Sequence, residues 1–484
     1  MGKGDTTTHF QFVPGAGVGA RESQSTITPV LRTALGHSGP CHQQPRRSAS
    51  ICRQASRQGR KIVTELASQA IGTPVGQPDS GRLRLFAVLA GLYLAQGIPG
   101  YLLVAAVPPI MRELGVSRTA IGMLAILMIP LTIKFLWAPL VDRIRPMAIG
   151  HRRGWILPTQ IGTVIAIAAL ALVEPIDLKA IFVIGFAIAV LTSTQDIATD
   201  GYATLALKQE DRAMGNAIQG GAVALSVIVG GTVSLLLYGW VGWQAMVLTI
   251  AAISALPLIA IAFMPEDTIT RTVETRARPS LSSFLKRPEA VTVLMIALTY
   301  RASEGLVKSM EGSYLVDAGL PLSAIGYLSG ISAATAGIAG SFVAAMLVRR
   351  SGAGGTLLLL GTLRTVCFLL FALHAVGQVT GIWALLGAAG FQTLIRYMEI
   401  VALYSLFMAV SSKDQPGTDF TILSCAQIII YLVGSMMAGA IADRIGYSAL
   451  FFIATLVSGL AVVLTAHLVS RLARKLPSAG CVLK

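Results

Sequence analysis

The sequence predicts an all-α membrane protein with twelve transmembrane helices in two parallel six-helix repeats. Of its 484 residues, 54% are hydrophobic and 13% are charged, which is about half of the roughly 25% charged residues usual in soluble domains. Twelve apolar stretches are long enough to cross a bilayer, which takes about 20 helical residues. Sequence patterns of the first half also recur in the second half. These three observations together define the fold class that we expect.

The apolar stretches form two sets of six, which we number as spans 1 to 12 in chain order. The first set lies near residues 85–107, 119–141, 155–173, 180–205, 214–238 and 243–264. The second set lies near residues 289–315, 322–348, 355–378, 381–410, 417–441 and 447–470.

The repeat has a constant offset. Residues 113–124 resemble residues 317–328, and residues 242–246 resemble residues 446–450, in both cases 204 positions later. This offset carries the junction after span 1 onto the junction after span 7. Because corresponding junctions then lie on the same side of the bilayer, the two halves are parallel repeats.

We expect five segments along the chain. They are a disordered N-terminal extension (1–83), an N-terminal six-helix bundle (84–264), a cytoplasmic linker (265–288), a C-terminal six-helix bundle (289–470) and a tail (471–484). The extension is rich in Arg, Ser, Gln and Gly and has no long apolar run, which is typical of disordered chains. A transit peptide, or a start codon assigned too early, would also explain this composition.

Basic residues indicate the orientation in the membrane. With the N-terminus inside, the inner loops and the C-terminal tail contain eighteen Lys and Arg residues, whereas the outer loops contain four. Short cytoplasmic loops are enriched in these residues, so we expect both termini to be cytoplasmic in a multi-pass protein of the cell (inner) membrane. The net charge of +15 then reflects membrane topology. No basic stripe with interleaved aromatic residues indicates nucleic-acid binding.

The sequence offers no metal site and no catalytic site. Its five cysteines have neither paired nor metal-ligand spacing, and no two histidines lie at a helical ligand spacing within a span. A membrane-embedded acyltransferase is the remaining enzymatic alternative, but no His–Asp or Cys–His arrangement lies in a span to support it. We therefore expect a monomer in the lipid bilayer that has no cofactor and no enzyme activity.

Span 7 contains four charged residues where a bilayer makes charges costly. Arg301, Glu304, Lys308 and Glu311 follow one another at steps of three, four and three, which keeps them within about 80° of each other on one helical face. Such residues are rare in spans and usually face the interior of the bundle. They either neutralise each other along the helix or line a water-filled pathway, and we favour the pathway.

Spans 4 and 10 add further buried charges. Asp196 and Asp200 lie one helical turn apart with no cation in the same stretch, while span 10 contains Arg396 and Glu399. Two adjacent carboxylates repel each other, and protonation of one relieves the repulsion, which is the property that proton coupling requires. Alternatively, Lys134 in span 2 neutralises the pair. The sequence leaves both interpretations open.

The end of span 2 has a pattern typical of a gate between two helical halves. Asp142 and Arg143 end the span, and Arg152 and Arg153 follow in a basic loop. A carboxylate at this position can bind the positively polarised N-terminus of a helix, and we expect that helix to be span 11. These four residues predict a reversible gate. The loop after span 8 keeps only two arginines, so we expect the corresponding gate there to be reduced.

Four sequence patterns resemble those of major facilitator superfamily transporters. They are residues 94–99, 134–143, 194–201 and 416–421, and the likeness extends over about residues 84–470. Within the superfamily they are most similar to a branch that contains the AmpG-type muropeptide permeases, the acetyl-CoA transporters and the siderophore permeases for rhizobactin and pyochelin. The pattern at 416–421 and that of span 7 look most like the siderophore permeases.

The resemblance and the buried charges together imply a major facilitator fold and a transport function. We expect secondary active import by alternating access, in which protons move together with an anionic or carboxylate-bearing small solute such as a siderophore. A muropeptide or another organic anion is the alternative solute. The candidate solute-binding residues are Arg301, Lys308, Arg396, Lys134, Gln96 and Tyr397. The candidate proton-carrying residues are Glu304, Glu399, Asp196, Asp200 and Glu311.

Overall fold

A computed structural model describes residues 79–117, 123–265, 279–320 and 331–475. Within these ranges, all regular secondary structure is helical. The predicted N-terminal extension up to residue 78, most of the linker and the end of the tail lie outside the described residues.

The N-terminal half consists of helical segments that follow predicted spans 1 to 6. Span 1 comprises Asp79–Tyr101, the π-helix Leu102–Ala106 and Val107–Glu113. Span 2 comprises the 3-10 helix Met123–Met128, Ile129–Ile133, the 3-10 helix Lys134–Leu136 and Ala138–Arg143. Spans 3 and 4 are His151–Leu170 and Leu178–Ala206. Spans 5 and 6 are formed by Arg212–Val227, the π-helix Ile228–Val233, Ser234–Ala255 and Leu258–Ala262.

The C-terminal half begins with a short linker helix, Leu281–Leu285, whose N-terminus is capped by Ser280. Span 7 is divided into Pro288–Tyr300 and Ala302–Asp317, spans 8 and 9 share Ile331–Ala375, span 10 is Ile382–Val410, and spans 11 and 12 share Pro416–Lys475.

Glycines divide the longest helices into two spans each. Gly242, Gly352 and Gly446 have φ values of 76°, 70° and 83° inside otherwise continuous helices. Only glycine adopts this left-handed conformation without a steric cost, so the chain changes direction at these positions. Eight helices in the described ranges are long and apolar enough to cross a membrane, and three of them contain such a glycine. Together with the broken helix of span 2, they make the twelve predicted crossings.

The backbone shows the same repeat as the sequence. Gly115 and Gly319, 204 residues apart, have φ values of 86° and 88°. Gly242 and Gly446, also 204 residues apart, have φ values of 76° and 83°. Equivalent glycines therefore make equivalent turns in the two halves, which confirms the predicted fold class.

Two helix boundaries differ from the sequence prediction. The sequence analysis assigned residues 79–83 to the disordered extension, but they belong to the first helix. An ion pair between Arg82 and Asp211, at 2.5 Å, anchors the start of this helix. Span 2 is not one continuous helix, because Pro130 and Pro139 each lack the N–H that an α-helix requires. As a result, Lys134 lies at an irregular turn inside the bundle, where it is buried.

The hydrophobic core shows where the halves meet. One cluster joins buried residues of both halves and includes Leu89 and Ile197 from the first half and Phe407 and Phe420 from the second. These residues lie at the helix ends that the sequence assigns to the cytoplasmic side. Toward the opposite end, each half has a separate cluster of its own. The two halves therefore pack against each other mainly at the predicted cytoplasmic end.

Candidate functional site

A cavity of about 430 Å³ lies mainly in the N-terminal half, a size within the range usual for small-molecule sites. Spans 1, 2, 4 and 5 form most of its wall, and spans 10 and 11 contribute Tyr404, Ser424 and Ile428. Its polar lining residues are Tyr93, Gln96, Tyr101, Lys134, Thr192, Ser193, Asp196, Asp200, Gln219, Tyr404 and Ser424.

Lys134 and Asp196 form an ion pair at the wall of this cavity. Gln96 Nε2 donates a second hydrogen bond to Asp196 Oδ1 at 2.6 Å. Lys134 is only 2% exposed, and a charge at such a depth is tolerated when it is paired. Lys134 therefore neutralises Asp196, which was one of the two interpretations, and this pairing does not exclude proton uptake by the acids of span 4.

Asp200 has a different environment from Asp196. Tyr93 Oη donates to its Oδ1 at 3.1 Å, and Gln219 Nε2 lies 3.5 Å from the same oxygen. The side chain is buried, and no ion pair involves it among the described residues. Protonation of a carboxyl that is paired with a cation loses an ion pair. A buried carboxyl that has only neutral hydrogen-bond partners can take up a proton without this loss.

Glu304 lies between two arginines. It pairs with Arg301 along span 7 and with Arg396 Nε of span 10 at 2.9 Å. Arg301 occupies the turn between the two helices of span 7, so the charged stripe is not borne by one straight helix. Further along the span, Lys308 Nζ binds Glu311 Oε1 at 2.8 Å. Neutralisation along the helix therefore accounts for part of the stripe.

Glu399 is paired with a residue that the sequence analysis did not single out. Arg364 Nη1 of span 9 donates to Glu399 Oε2, and Tyr300 Oη donates to Glu399 Oε1, both at 2.9 Å. The guanidinium carbon also lies 4.4 Å from the centre of the Tyr300 ring. The sequence could have indicated this pairing, because Arg364 is a single arginine in an apolar span that has no acid on the same helical face. Such a residue needs a partner from another helix.

The predicted charges therefore occupy separate places. Four of the predicted residues line the cavity: Gln96, Lys134, Asp196 and Asp200. The others do not line it: Arg301, Glu304, Lys308, Glu311, Arg396, Tyr397 and Glu399. Most of the second group belong to the ion-pair network between spans 7, 9 and 10, while Tyr397 packs against span 8 near Gly337.

Asp142 joins the two halves at the predicted cytoplasmic end. Its Oδ1 binds Arg152 Nη2 at 2.5 Å, and its Oδ2 accepts a hydrogen bond from Thr418 N at 2.6 Å. Thr418 lies in the first turn of span 11, the helix whose N-terminus the sequence pointed to. The contact has the geometry of a charged helix cap, while its action as a gate stays a prediction.

The other two residues of the predicted gate are placed differently. Arg153 donates to the carbonyl oxygen of Met264 at the end of span 6, within the same half. Arg143 is exposed.

A second contact between the halves lies at the corresponding position of the repeat. Arg349, at the end of span 8, lies 3.9 Å from Asp211, which precedes span 5. Asp211 also binds Arg82 at 2.5 Å. Arg349, one of the two arginines in the reduced loop, thus reaches an acid in the other half. Here the N-terminal half supplies the acid and the C-terminal half supplies the positively charged group.

Comparison with known proteins identifies the family. A sequence model of the Major Facilitator Superfamily matches residues 89–373, which is more than half of the chain. The chain belongs to the Major Facilitator Superfamily.

Two relatives and one solved structure resemble the chain over most of its length. The anhydromuropeptide permease of Escherichia coli K12 is 29% identical over 400 residues, which cover 80% of this chain and 81% of the permease. Putative transporter AmpG 4 of Rickettsia conorii is 22% identical over 393 residues, covering 78% and 94% of the two chains. The solved structure of the proton:xylose symporter XylE matches with a TM-score of 0.64 at 12% identity, and the match covers 80% of this chain and 95% of the symporter.

These findings confirm the resemblance to the superfamily and to its AmpG-type branch. The chain is therefore a secondary transporter of the major facilitator type, and a multi-pass protein of the inner membrane, rather than an enzyme. In this family the space between two six-helix halves is where a solute is expected to bind, and the cavity beside Lys134 and Asp196 opens from the first half toward spans 10 and 11.

Proposed function

We propose that this transporter imports a carboxylate-bearing sugar–peptide of the anhydromuropeptide class together with protons. The observation that carries this proposal is the cavity, whose wall offers amide, carboxyl and tyrosine hydroxyl groups to a polar solute. Sequence similarity to the E. coli permease over 400 residues supports the choice of solute class. The proposal replaces the siderophore as the first candidate solute.

Arg396 supplies the group that would bind the carboxylate. Its Nε pairs with Glu304 at 2.9 Å, and the side chain is 31% exposed, so part of the guanidinium is accessible to an incoming acceptor. Arg396 does not line the cavity itself, so the carboxylate of a solute would have to extend from the cavity toward span 10 to reach it. A guanidinium fork suits a planar carboxylate because it can form two parallel hydrogen bonds.

The balance of charges also favours an acidic solute at this position. Spans 7, 9 and 10 contain the three arginines Arg301, Arg364 and Arg396, and within the described ranges two acids pair with them, Glu304 and Glu399. One positive charge is therefore uncompensated within the C-terminal network. A solute carboxylate would neutralise this positive charge, so that neither charge would be buried without a partner.

Asp200 is the group that would carry the proton. Asp196 is already neutralised by Lys134, whereas Asp200 is held by Tyr93 and Gln219. Protonation of Asp200 would change the net charge of the cavity wall without breaking an ion pair. A change of charge beside the solute can then bias the equilibrium between the two orientations of the halves.

The packing of the halves is consistent with solute entry from outside. The shared hydrophobic cluster and the Asp142–Thr418 contact join the halves at the predicted cytoplasmic end. We infer that this is the outward-facing form, in which rocking of one half against the other would open the inner side.

The siderophore interpretation has less support from the cavity. The 416–421 pattern, which resembles siderophore permeases, forms the start of span 11, where Thr418 binds Asp142 and Asp419 binds Arg287. Because Thr418 contacts the other half and Asp419 binds Arg287 at the start of span 7, these two residues connect helices, and neither lines the cavity.

Uptake by cells that lack their own permease tests the solute class. Cells that express this transporter should accumulate a labelled anhydromuropeptide, and an excess of unlabelled anhydromuropeptide should compete while a ferric siderophore should not. Accumulation of the siderophore with no uptake of the anhydromuropeptide would refute the proposal.

A further inference from the structure

Gly100 in span 1 lies at the wall of the cavity, and because it has no side chain, the adjacent part of the cavity is open. It belongs to the helix Asp79–Tyr101 and lines the cavity. A Cβ atom added at this position would meet no heavy atom within 4 Å. An alanine, or a larger residue, would therefore project into the cavity rather than into the protein.

Gly97, one turn earlier, also lines the cavity but has a packing role. A Cβ atom there would lie 2.7 Å from Cβ of Ser226 in span 5, so glycine is required for the close approach of the two helices. No such contact explains Gly100.

The backbone does not explain Gly100 either. Its φ lies outside the left-handed region, so any residue could adopt its conformation. Glycine is unfavourable in the interior of a helix relative to alanine, because it loses more backbone entropy on folding. Local folding would therefore favour alanine, and the remaining consequence of glycine is the space that it leaves.

The 204-residue offset relates the position of Gly100 to a residue of the C-terminal half. Positions 204 residues after Gly97 and Gly100 are Arg301 and Glu304, which are buried and paired with each other. The equivalent volume of the C-terminal half is thus filled by an ion pair, whereas that of the N-terminal half is cavity. The cavity extends into this part of the first half because span 1 has Gly100 where span 7 has the side chain of Glu304.

We propose that Gly100 sets the upper size of the solute that the transporter accepts. This inference rests on the proposed function and concerns the bulk of a sugar–peptide solute. The bare backbone at Gly100 allows the bulky part of the solute to lie against span 1. Each carbon atom added at this position would exclude larger solutes before it excludes smaller ones.

A graded set of substitutions tests the inference with labelled anhydromuropeptides that share the sugar and differ in peptide length. Gly100→Ala, Gly100→Val and Gly100→Leu should lower kcat/KM progressively for the longest solute, by about tenfold or more for leucine, and much less for the shortest. Gly387→Leu is the matched control, because Gly387 in span 10 is exposed and a Cβ atom there also meets nothing within 4 Å.

The outcomes separate the two proposals. Selective loss of the longest solute in the Gly100 variants, with Gly387→Leu unchanged, supports the size limit. If the wild-type protein transports the series but Gly100→Leu lowers transport of all solutes equally, or of none, the size limit is wrong and the proposed function stands. If the wild-type protein transports no member of the series, the proposed function fails and the inference about its solute fails with it.

Discussion

Thr418 N donates a 2.6 Å hydrogen bond to Asp142 Oδ2, and this bond connects residues 276 positions apart in opposite halves of the transporter. Asp142 is buried and also binds Arg152. The carboxylate therefore meets a guanidinium of its own half and the N-terminus of a helix of the other half. Opening of this end must break the second of these contacts.

Asp142→Asn should open the predicted cytoplasmic end. The asparagine keeps the size of the side chain but removes the charge, and a hydrogen bond to a charged group contributes about 1.5–3 kcal/mol. The populations of the two orientations should therefore shift by roughly tenfold to a hundredfold. Distances between spin labels on the inner ends of the two halves would show the shift. Asp443→Asn is the control, since Asp443 is exposed and is also followed by an arginine in the sequence. If the Asp142 variant has the same distance distributions as the wild-type protein, the gate is contradicted.

Arg349→Ala should have a smaller effect at the same end. Its contact with Asp211 is 3.9 Å long, and the arginine side chain is 44% exposed. Exposed ion pairs of this kind contribute about 0–1 kcal/mol, and Asp211 keeps its partner Arg82 when Arg349 is removed. The same spin-label measurement should show a shift well below that of Asp142→Asn. A shift as large as that of Asp142→Asn would show that the two contacts are equal gates.

Arg364→Ala should mainly destabilise the protein. It would leave Glu399 buried without its cation, and removal of one partner from a buried pair costs about 3–5 kcal/mol. Thermal unfolding of the purified protein should show a clear loss, and the double variant Arg364→Met with Glu399→Gln should recover most of it. Thr362→Ala, an exposed change on the same helix, is the control. Full stability of Arg364→Ala would show that the pair contributes little.

Asp200→Asn and Asp196→Asn should have different effects. Asparagine at 200 can keep a hydrogen bond with Tyr93 and Gln219 but cannot carry a proton, so accumulation driven by a pH gradient should be lost while solute exchange continues. Asparagine at 196 leaves Lys134 buried without its acid, so stability should fall by about 3–5 kcal/mol and both activities should decline. Exchange and accumulation assays in proteoliposomes distinguish the two. Normal accumulation by Asp200→Asn would exclude it as the proton carrier.

The sequence predicted the architecture well because the signals are local or periodic. The length of the apolar stretches indicates the spans. The offset of 204 residues between Gly242 and Gly446 indicates the repeat, and the backbone has a positive φ at both positions. The partner of Asp142 in the other half was predictable because a carboxylate is stabilised by the positively polarised N-terminus of a helix. Span 2 was less predictable, since the positions of Pro130 and Pro139 show that a helix is interrupted but not how the chain continues.

The pairing of charges was much less predictable, because it depends on which helices meet. Arg364 and Glu399 lie on different spans, and their contact has no signature in the spacing of either residue. Arg301 was expected on a continuous helical stripe but lies at a turn. Lys134 was one of two possible explanations for the paired acids, and only the tertiary contact showed that it neutralises Asp196 rather than Asp200.

Proton-coupled transport of an anhydromuropeptide is tested most directly by measuring the solute and the protons together. Purified protein would be placed in liposomes that contain a pH-sensitive dye, with a labelled anhydromuropeptide outside and no initial pH gradient. We predict that solute entry acidifies the lumen, and that an inwardly directed proton gradient drives accumulation above the external concentration. Solute entry that neither moves protons nor responds to an imposed gradient would contradict the account.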